Sequence, residues 1–354
     1  MPSYRFLYRD VLSGQLLGEL PLESCAYGET LNKPGSFSAT MALRPETGVQ
    51  TITSTTLKPG STALYVERDG VIVWAGLLWT ADGNVDGNEM NLSGAGMMSY
   101  FAKREIRADY FFLANDQADI VQSLIILGQI QYGSIVVIDT YDTPLTGILR
   151  ARTYYEYEGK PLLEAIEQLA GVRDGFDFYT STNSSFATTL HTQFPATGRK
   201  TSFVLDMDAN VELLSFTIDA TNIVNTVTAK GAGEGDMGLS VTAVNAPGIL
   251  EFPLYESTVS YTDVRVTATL EAHAKRALDR GKRATLLLKV ALYNGMEPGI
   301  GAFVVGDVVR VKGSYGWLAV DDSFRITEWT CTVDSNGGER TQLSLAPLEL
   351  FTSA

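Results

Sequence analysis

The chain has 354 residues, 45% of them hydrophobic and 19% charged, with 27 Lys+Arg against 41 Asp+Glu and a formal charge of −14. That composition supports a sizeable core in two or three domains of about 150 residues each, and its sign argues against free nucleic acid or an anionic membrane as partner. Two Cys (Cys25, Cys331) and two His (His191, His273) exclude a disulfide framework, and a Cys/His zinc site would need all four across roughly 300 residues.

The first residues carry Arg5, Arg9 and Asp10 and no apolar leader. No apolar run, that at Leu124–Leu127 included, approaches the roughly 20 residues that span a bilayer. The expectation is a chain made in a cytoplasm, without a membrane anchor and with its two thiols reduced.

Residues 1–100 read as short antiparallel strands. Phe37, Ala39, Met41 and Leu43 alternate with Ser38, Thr40 and Ala42, the period of a half-buried strand. Thr62–Glu67 and Val71–Leu78 flank Asp69-Gly70, a dipeptide suited to a type I′ hairpin because both central residues need positive φ. Asp82-Gly83 and Asp86-Gly87 predict a turn before the strand Glu89–Ser93, and Gly94-Ala95-Gly96 a turn after it.

Residues 101–200 read as a smaller α+β region. Asn115 or Asp116 can cap a helix with Ile120, Val121, Leu124 and Ile125 at helical spacing, ending near Gly128. A second helix starts at Pro161, carries Leu162, Leu163, Ile166 and Leu169 on one stripe, and stops at Gly171. Strands are expected at Ile135–Asp139 and Gly175–Tyr179, and Tyr154–Glu158 alternates like an exposed strand. Residues 201–354 return to period 2. Ile223, Asn225, Val227 and Ala229 alternate with Val224, Thr226 and Thr228, Gly231–Asp236 makes a turn, and a lone helix occupies about Thr267–Gly281. Closing strands are expected at Leu286–Ala291, Asp307–Val311, Phe324–Thr332 and Thr341–Leu345.

Chemistry-bearing motifs are sparse. Gly231–Asp236 lacks the Lys-Ser/Thr of a phosphate loop, and Gly94-Ala-Gly96 lacks the third glycine of a dinucleotide loop. Neither His191 nor His273 has a Ser or Cys neighbour in a nucleophile-elbow context. Glu156 with Glu158, or Asp174 with Asp177, are the carboxylate pairs a glycosidase would need, against the plainer reading of aromatic cross-strand packing. Asp206/Asp208 and Asp321-Asp322 resemble turn or cation-loop residues but lack EF-hand spacing. The helix bearing Lys275, Arg276, Arg280, Lys282 and Arg283 is either a solvated face opposing its dipole or a docking surface for an acidic neighbour. No catalytic, cofactor or metal residue is assigned.

Six segments stand out together in order and spacing: Lys33–Leu43, the hairpin Leu64–Gly76 with its Arg-Asp-Gly turn, Leu92–Arg104, Val304–Val311, Phe324–Glu328 and Thr341–Leu345. In that order they resemble the minor tail or baseplate-hub proteins that cap the tail tube of long-tailed bacteriophages. The resemblance covers about residues 4–347 and carries no catalytic residues. It implies a mainly β chain: two tube-like antiparallel β-barrel domains, at 1–100 and 201–354, flanking an α+β insertion at 101–200. It further implies a trimeric ring at the virion tail tip, without enzymatic activity. Its partners would be tail-tube, distal-tail, tape-measure and tip or receptor-binding proteins, with DNA only in transit. Three copies of −14 make −42 around such a channel, and an acidic wall does not hold the phosphate backbone passing through it. The alternatives are a saccharide-binding tip module using Tyr154–Glu158, or a cell-wall hydrolase.

Overall fold

The computed structural model describes residues 2–44, 52–172, 174–196, 198–233, 238–261 and 267–351. The chain divides into two compact units, residues 1–212 with 290–344, and residues 213–289 with 345–354. Strand makes up 49% of it and helix 16%, so the fold is mainly β, as the recurring period-2 segments predict.

The order opens with β1 (Tyr4–Asp10), β2 (Leu16–Glu19), β3 (Leu22–Thr30), β4 (Lys33–Ala42), β5 (Thr62–Arg68), β6 (Val71–Asn84) and β7 (Glu89–Gly96). A 3-10 turn at Met97–Lys103 leads to β8 (Tyr110–Asp116), α1 (Gln117–Ile130), β9 (Thr140–Asp142), β10 (Leu149–Tyr154) and α2 (Leu162–Ala170). Next come β11 (Asp177–Thr182), β12 (Thr188–Gln193), β13 (Lys200–Asp206) and β14 (Val211–Asp219). Then follow β15 (Thr226–Lys230), β16 (Ser240–Val244), α3 (Ala246–Glu251), β17 (Glu256–Ser260), α4 (Thr267–Gly281) and β18 (Thr285–Leu292). The chain finishes with β19 (Val308–Tyr315), β20 (Leu318–Val333) and β21 (Glu339–Pro347).

In the first unit a central sheet runs β20-β3-β4-β7-β6-β5-β1-β2, antiparallel at every step. β20 joins it at β3, placing Cys331 opposite Tyr27 and Val333 opposite Cys25, and β21 lies on the other side of β20. The first half of β20 pairs with β19, which in turn pairs in parallel with β13. Along β4, Phe37, Ala39 and Met41 are buried while Ser36 and Ser38 are exposed, so one face of the sheet is core and the other is open. Asp69 (φ 51°) and Gly70 (φ 80°) supply the two positive dihedrals of the β5–β6 hairpin.

The α+β segment packs α1 and α2 over Phe101, Phe176, Phe178 and Leu190, burying Ile120, Val121, Leu124, Ile125, Leu162, Ile166 and Leu169. Asp116 is the N-cap of α1 and accepts from the Ala118 N–H at 2.9 Å. Pro161 and Gly171 bound α2 as expected. Among the described residues β8 pairs with β10 alone, and β9 joins β12 in parallel beside β11.

The second unit carries a three-stranded sheet, β16-β15-β17, with α4 packed on β15 and β16. Ala229, Leu270 and Ala274 form its core with Val241, Ala243 and Val259 around them. His273 stacks on Tyr261 at 4.2 Å. Lys275 and Arg280 are exposed and Lys282 pairs with Asp279 at 2.9 Å.

Four local expectations are corrected. β6 continues through Asp82-Gly83 to Asn84, so the turn sits at Val85–Asn88. Gly94 and Gly96 lie inside β7, where a Cβ on Gly94 would stand 2.6 Å from the Leu77 carbonyl oxygen; they serve close backbone approach. Residues 135–139 join no ladder, because the Val137 and Ile138 amides are taken by the Gln129 side chain, and the strand falls at Thr140–Asp142. The alternating stretch leaves its ladder at Tyr154, opposite Tyr110, and Glu156–Glu158 is a 3-10 turn. Part of the Gly231–Asp236 turn lies outside the described residues. Among the described residues, no helix is long and apolar enough to cross a membrane.

Candidate functional site

The open face of the central sheet is assembled from short side chains. Register places Thr332, Ala26, Ser38, Ser93 and Thr80 in one row across five strands. Ser24, Thr40, Asn91 and Asp82 form the next row. Ser38 and Thr40 flank Ala39, 5% exposed, and Asn91 and Ser93 flank Leu92, 1% exposed, both buried on the opposite face. The Thr40 hydroxyl bonds the Asn91 carboxamide at 3.3 Å. The result is a groove of about 900 Å³ with a floor of hydroxyl, amide and methyl groups.

Its charged border is mostly acidic: Asp82, Glu212, Asp334 and Glu339 against Arg340. Arg340 is itself neutralised by Glu212 at 2.8 Å. Asp334 is held by the N–H groups of Asn336 and Gly338. Burial pushes the Glu339 carboxyl up, but hydrogen bonds from Arg68 (2.9 Å to each oxygen) and Tyr4 outweigh it and keep it below the ordinary range. Beneath this border Cys25 and Cys331 are free, buried thiols, each pushed up by desolvation.

The carboxylate pairs singled out in the sequence have other partners. Asp177 is 2% exposed and binds Arg325, itself fully buried, and the Asn32 side-chain amide at 3.0 Å. Arg325 also donates to the Gly306 and Ala196 carbonyls at 3.0 Å each; burial pulls its pKa down to about 10, which leaves it charged at neutral pH. Asp174 is a turn residue at φ 53°. Glu156 and Glu158 are exposed. Asp206 pairs with Lys312, and Asp321 with Arg310, at 2.7 Å each.

One constellation escaped sequence reasoning. His191 Nε2 lies 2.7 Å from the Ser181 hydroxyl and Nδ1 lies 3.0 Å from the Asp142 carboxylate, with the ring stacked on Tyr179 at 4.8 Å. Ser181 sits mid-strand and Asp142 is 71% exposed, so the geometry is a row of cross-strand pairs on a polar sheet face and lacks the strained elbow of a nucleophile. The order Asp…Ser…His across 49 residues gave no local signal.

At the surface of the α+β segment, Phe111 meets Tyr155 edge-on at 6.0 Å and Tyr155 stacks on Tyr157 at 5.2 Å. Leu113 is 82% and Tyr157 81% exposed beside them.

No protein-family model matches the chain, and no curated protein matches it by sequence. Solved structures do match its fold. A tail protein from Neisseria meningitidis MC58 superposes with a TM-score of 0.64 at 17% identity, covering 99% of this chain and 98% of that one. The 43 kDa tail protein of prophage MuSo2 from Shewanella oneidensis gives 0.68 at 13% identity, covering 99% and 100%. An Escherichia coli type VI secretion component, described as similar to the T4 tail proteins gp27 and gp5, gives 0.50 at 11% identity over 92% and 73%. The chain therefore has, from end to end, a fold found in phage tail proteins.

Proposed function

We propose that this chain is a structural protein of a phage-type tail, a baseplate hub that closes as a trimeric ring on the tail tube and works by assembly, with no turnover. What carries the proposal is the fold likeness over 99% of the chain to two tail proteins of nearly equal length. On this reading residues 1–100 and 201–354 are two tube-like β domains flanking an α+β insertion at 101–200, and three copies offer six similar positions to a six-fold tube. Tail-tube, tape-measure, distal-tail and receptor-binding proteins are its neighbours at the virion tip. The exposed cations Lys275 and Arg280 of α4 are offered to acidic neighbours.

The hydroxyl-floored groove is the candidate channel wall. Short uncharged side chains present no long cation to a passing phosphate backbone, and the acidic border repels it. Native mass spectrometry of the purified chain tests the assembly: three times the 38.4 kDa chain, about 115 kDa, is expected, and a strict monomer with or without tube protein overturns it. A second reading, saccharide binding at the tip, is favoured by the stacked, exposed Tyr155–Tyr157 pair. Glycan binding lost in the Tyr155→Ala, Tyr157→Ala double variant would support it.

A further inference from the structure

A second cavity in the first unit has a different character. It measures about 220 Å³ and lies between β6 (Val71–Ala75), β11 (Tyr179–Thr182), the loop from Ile300 to Val305, and the Glu29–Trp329 cross-strand pair. A single water's share of liquid volume is about 30 Å³, so the space admits a small ligand. Its walls are Ile72, Trp74, Phe303 and Trp329, all under a tenth exposed, and Val71, 62% exposed, is the outermost of the lining side chains.

Glu29 is the one carboxyl lining this space. Register puts it directly opposite Trp329, and its Oε2 stands against the Gly35 backbone, where a Cβ would lie 3.0 Å away. Among the described residues no hydrogen bond or ion pair reaches the Glu29 carboxyl. Desolvation alone pushes its pKa up to about 8. Tyr179 is the other titratable side chain of the lining, its hydroxyl pushed up chiefly by burial; among the described residues no Lys, Arg, His or Asp lines the cavity.

Glu29 is half-buried, beside Trp329, and carries no counter-charge among the described residues. Mg²⁺ and Ca²⁺ need several oxygen ligands in a fixed shell, and one carboxylate with a rim of Thr hydroxyls does not provide them. An alkyl- or quaternary ammonium needs only what this cavity offers: one carboxyl that can ionise, aromatic surface and an apolar wall. We propose that this cavity is a binding site for a small organic cation of the alkylammonium class, with Glu29 as the counter-ion and Trp74, Phe303 and Trp329 as the aromatic enclosure.

The site stands independently of the hub assignment. Binding a cation requires Glu29 ionised, so the proton it holds at neutral pH leaves to solvent as the ligand enters. The competent fraction is about one in eleven at pH 7 and ten in eleven at pH 9, so affinity rises about tenfold between them.

The experiment titrates the full chain with choline and, separately, with its uncharged isostere 3,3-dimethylbutan-1-ol, at pH 7 and pH 9, following tryptophan fluorescence and heat. Saturable choline binding is expected, about tenfold tighter at pH 9, with the alcohol at least tenfold weaker. Glu29→Gln is expected to weaken choline at least tenfold and to flatten the pH response, with a thermal melt to confirm that the variant folds. No saturable choline binding, equal binding of the alcohol, or a pH-independent wild-type affinity each overturns the proposal, and none of these outcomes depends on a variant.

Discussion

The central sheet and the α+β segment expose their surfaces in opposite ways. The open face of the sheet carries Ser24, Ser38, Ser93 and Thr332, short and hydrated. The segment from Tyr110 to Tyr157 exposes Phe111 (59%), Leu113 (82%), Ile130 (70%) and Leu149 (63%), while its inward face is an equally apolar core. A strand face bearing hydroxyls gains nothing by being covered, whereas exposed apolar side chains gain from any body that covers them. Within one unit, then, one region is built to stay wet and the other to be met.

Arg325 holds these regions to one another, since β20 supplies the guanidinium, β11 supplies Asp177, and Asn32 at the β3–β4 turn bonds the same carboxylate. Arg325→Ala strands that carboxylate in the interior, and urea unfolding is expected to lose about 3–5 kcal/mol. A loss under about 1 kcal/mol would mean that the two regions do not depend on this junction. The contrast sharpens on α1 alone. Leu124→Ala, at a fully buried site, is expected to cost about 2–5 kcal/mol, while Ile130→Ala stays within about 0.5 kcal/mol in the isolated chain. Should Ile130→Ala prove equally damaging, the outer face of α1 is already covered within the molecule.

Glu29 gives a pH-dependent comparison. Its folded pKa is raised from 4.5 to about 8, so the native state binds the proton more tightly than the unfolded chain. Wild-type stability should therefore fall as pH rises from about 4.5 to about 8, while Glu29→Gln stays flat. The two should coincide near pH 4, and the variant should be the more stable at pH 9; identical melts at pH 9 would show a solvated carboxyl. The smallest effect on stability is expected at the hydroxyl face. Ser24→Arg with Ser93→Arg, two strands apart, should shift unfolding by no more than about 0.5 kcal/mol. In assembled tails, however, two cations per chain on a channel wall should slow DNA release, and unchanged infectivity would place the channel elsewhere.

What the sequence revealed follows from how locally each feature is encoded. Asp69-Gly70, the Asp116 cap, and the span Thr267–Gly281 all depend on neighbours within a few residues, and each stands where the pattern placed it. Tyr154–Glu158 kept the alternation of a strand without the partner, since β8 ends its pairing at Tyr110. The Arg325–Asp177 contact joins residues 148 apart, and the parallel β13–β19 pairing spans more than a hundred. The hydroxyl floor was hidden for the same reason: Ser38 and Ser93 look like ordinary solvent positions until register sets them side by side.

The seam between β3 and β20 has a kinetic consequence. Cys25 meets Val333 across 308 positions of chain, so during synthesis the β3 edge is complete long before its complement exists. At about 5–20 residues per second that interval is roughly 15–60 s, during which a row of unpaired amides and carbonyls faces the crowded interior of the producing cell. Nascent chains stalled short of residue 328 should thus be the form most prone to cross-pair with one another, and the form a holdase would most need to shield.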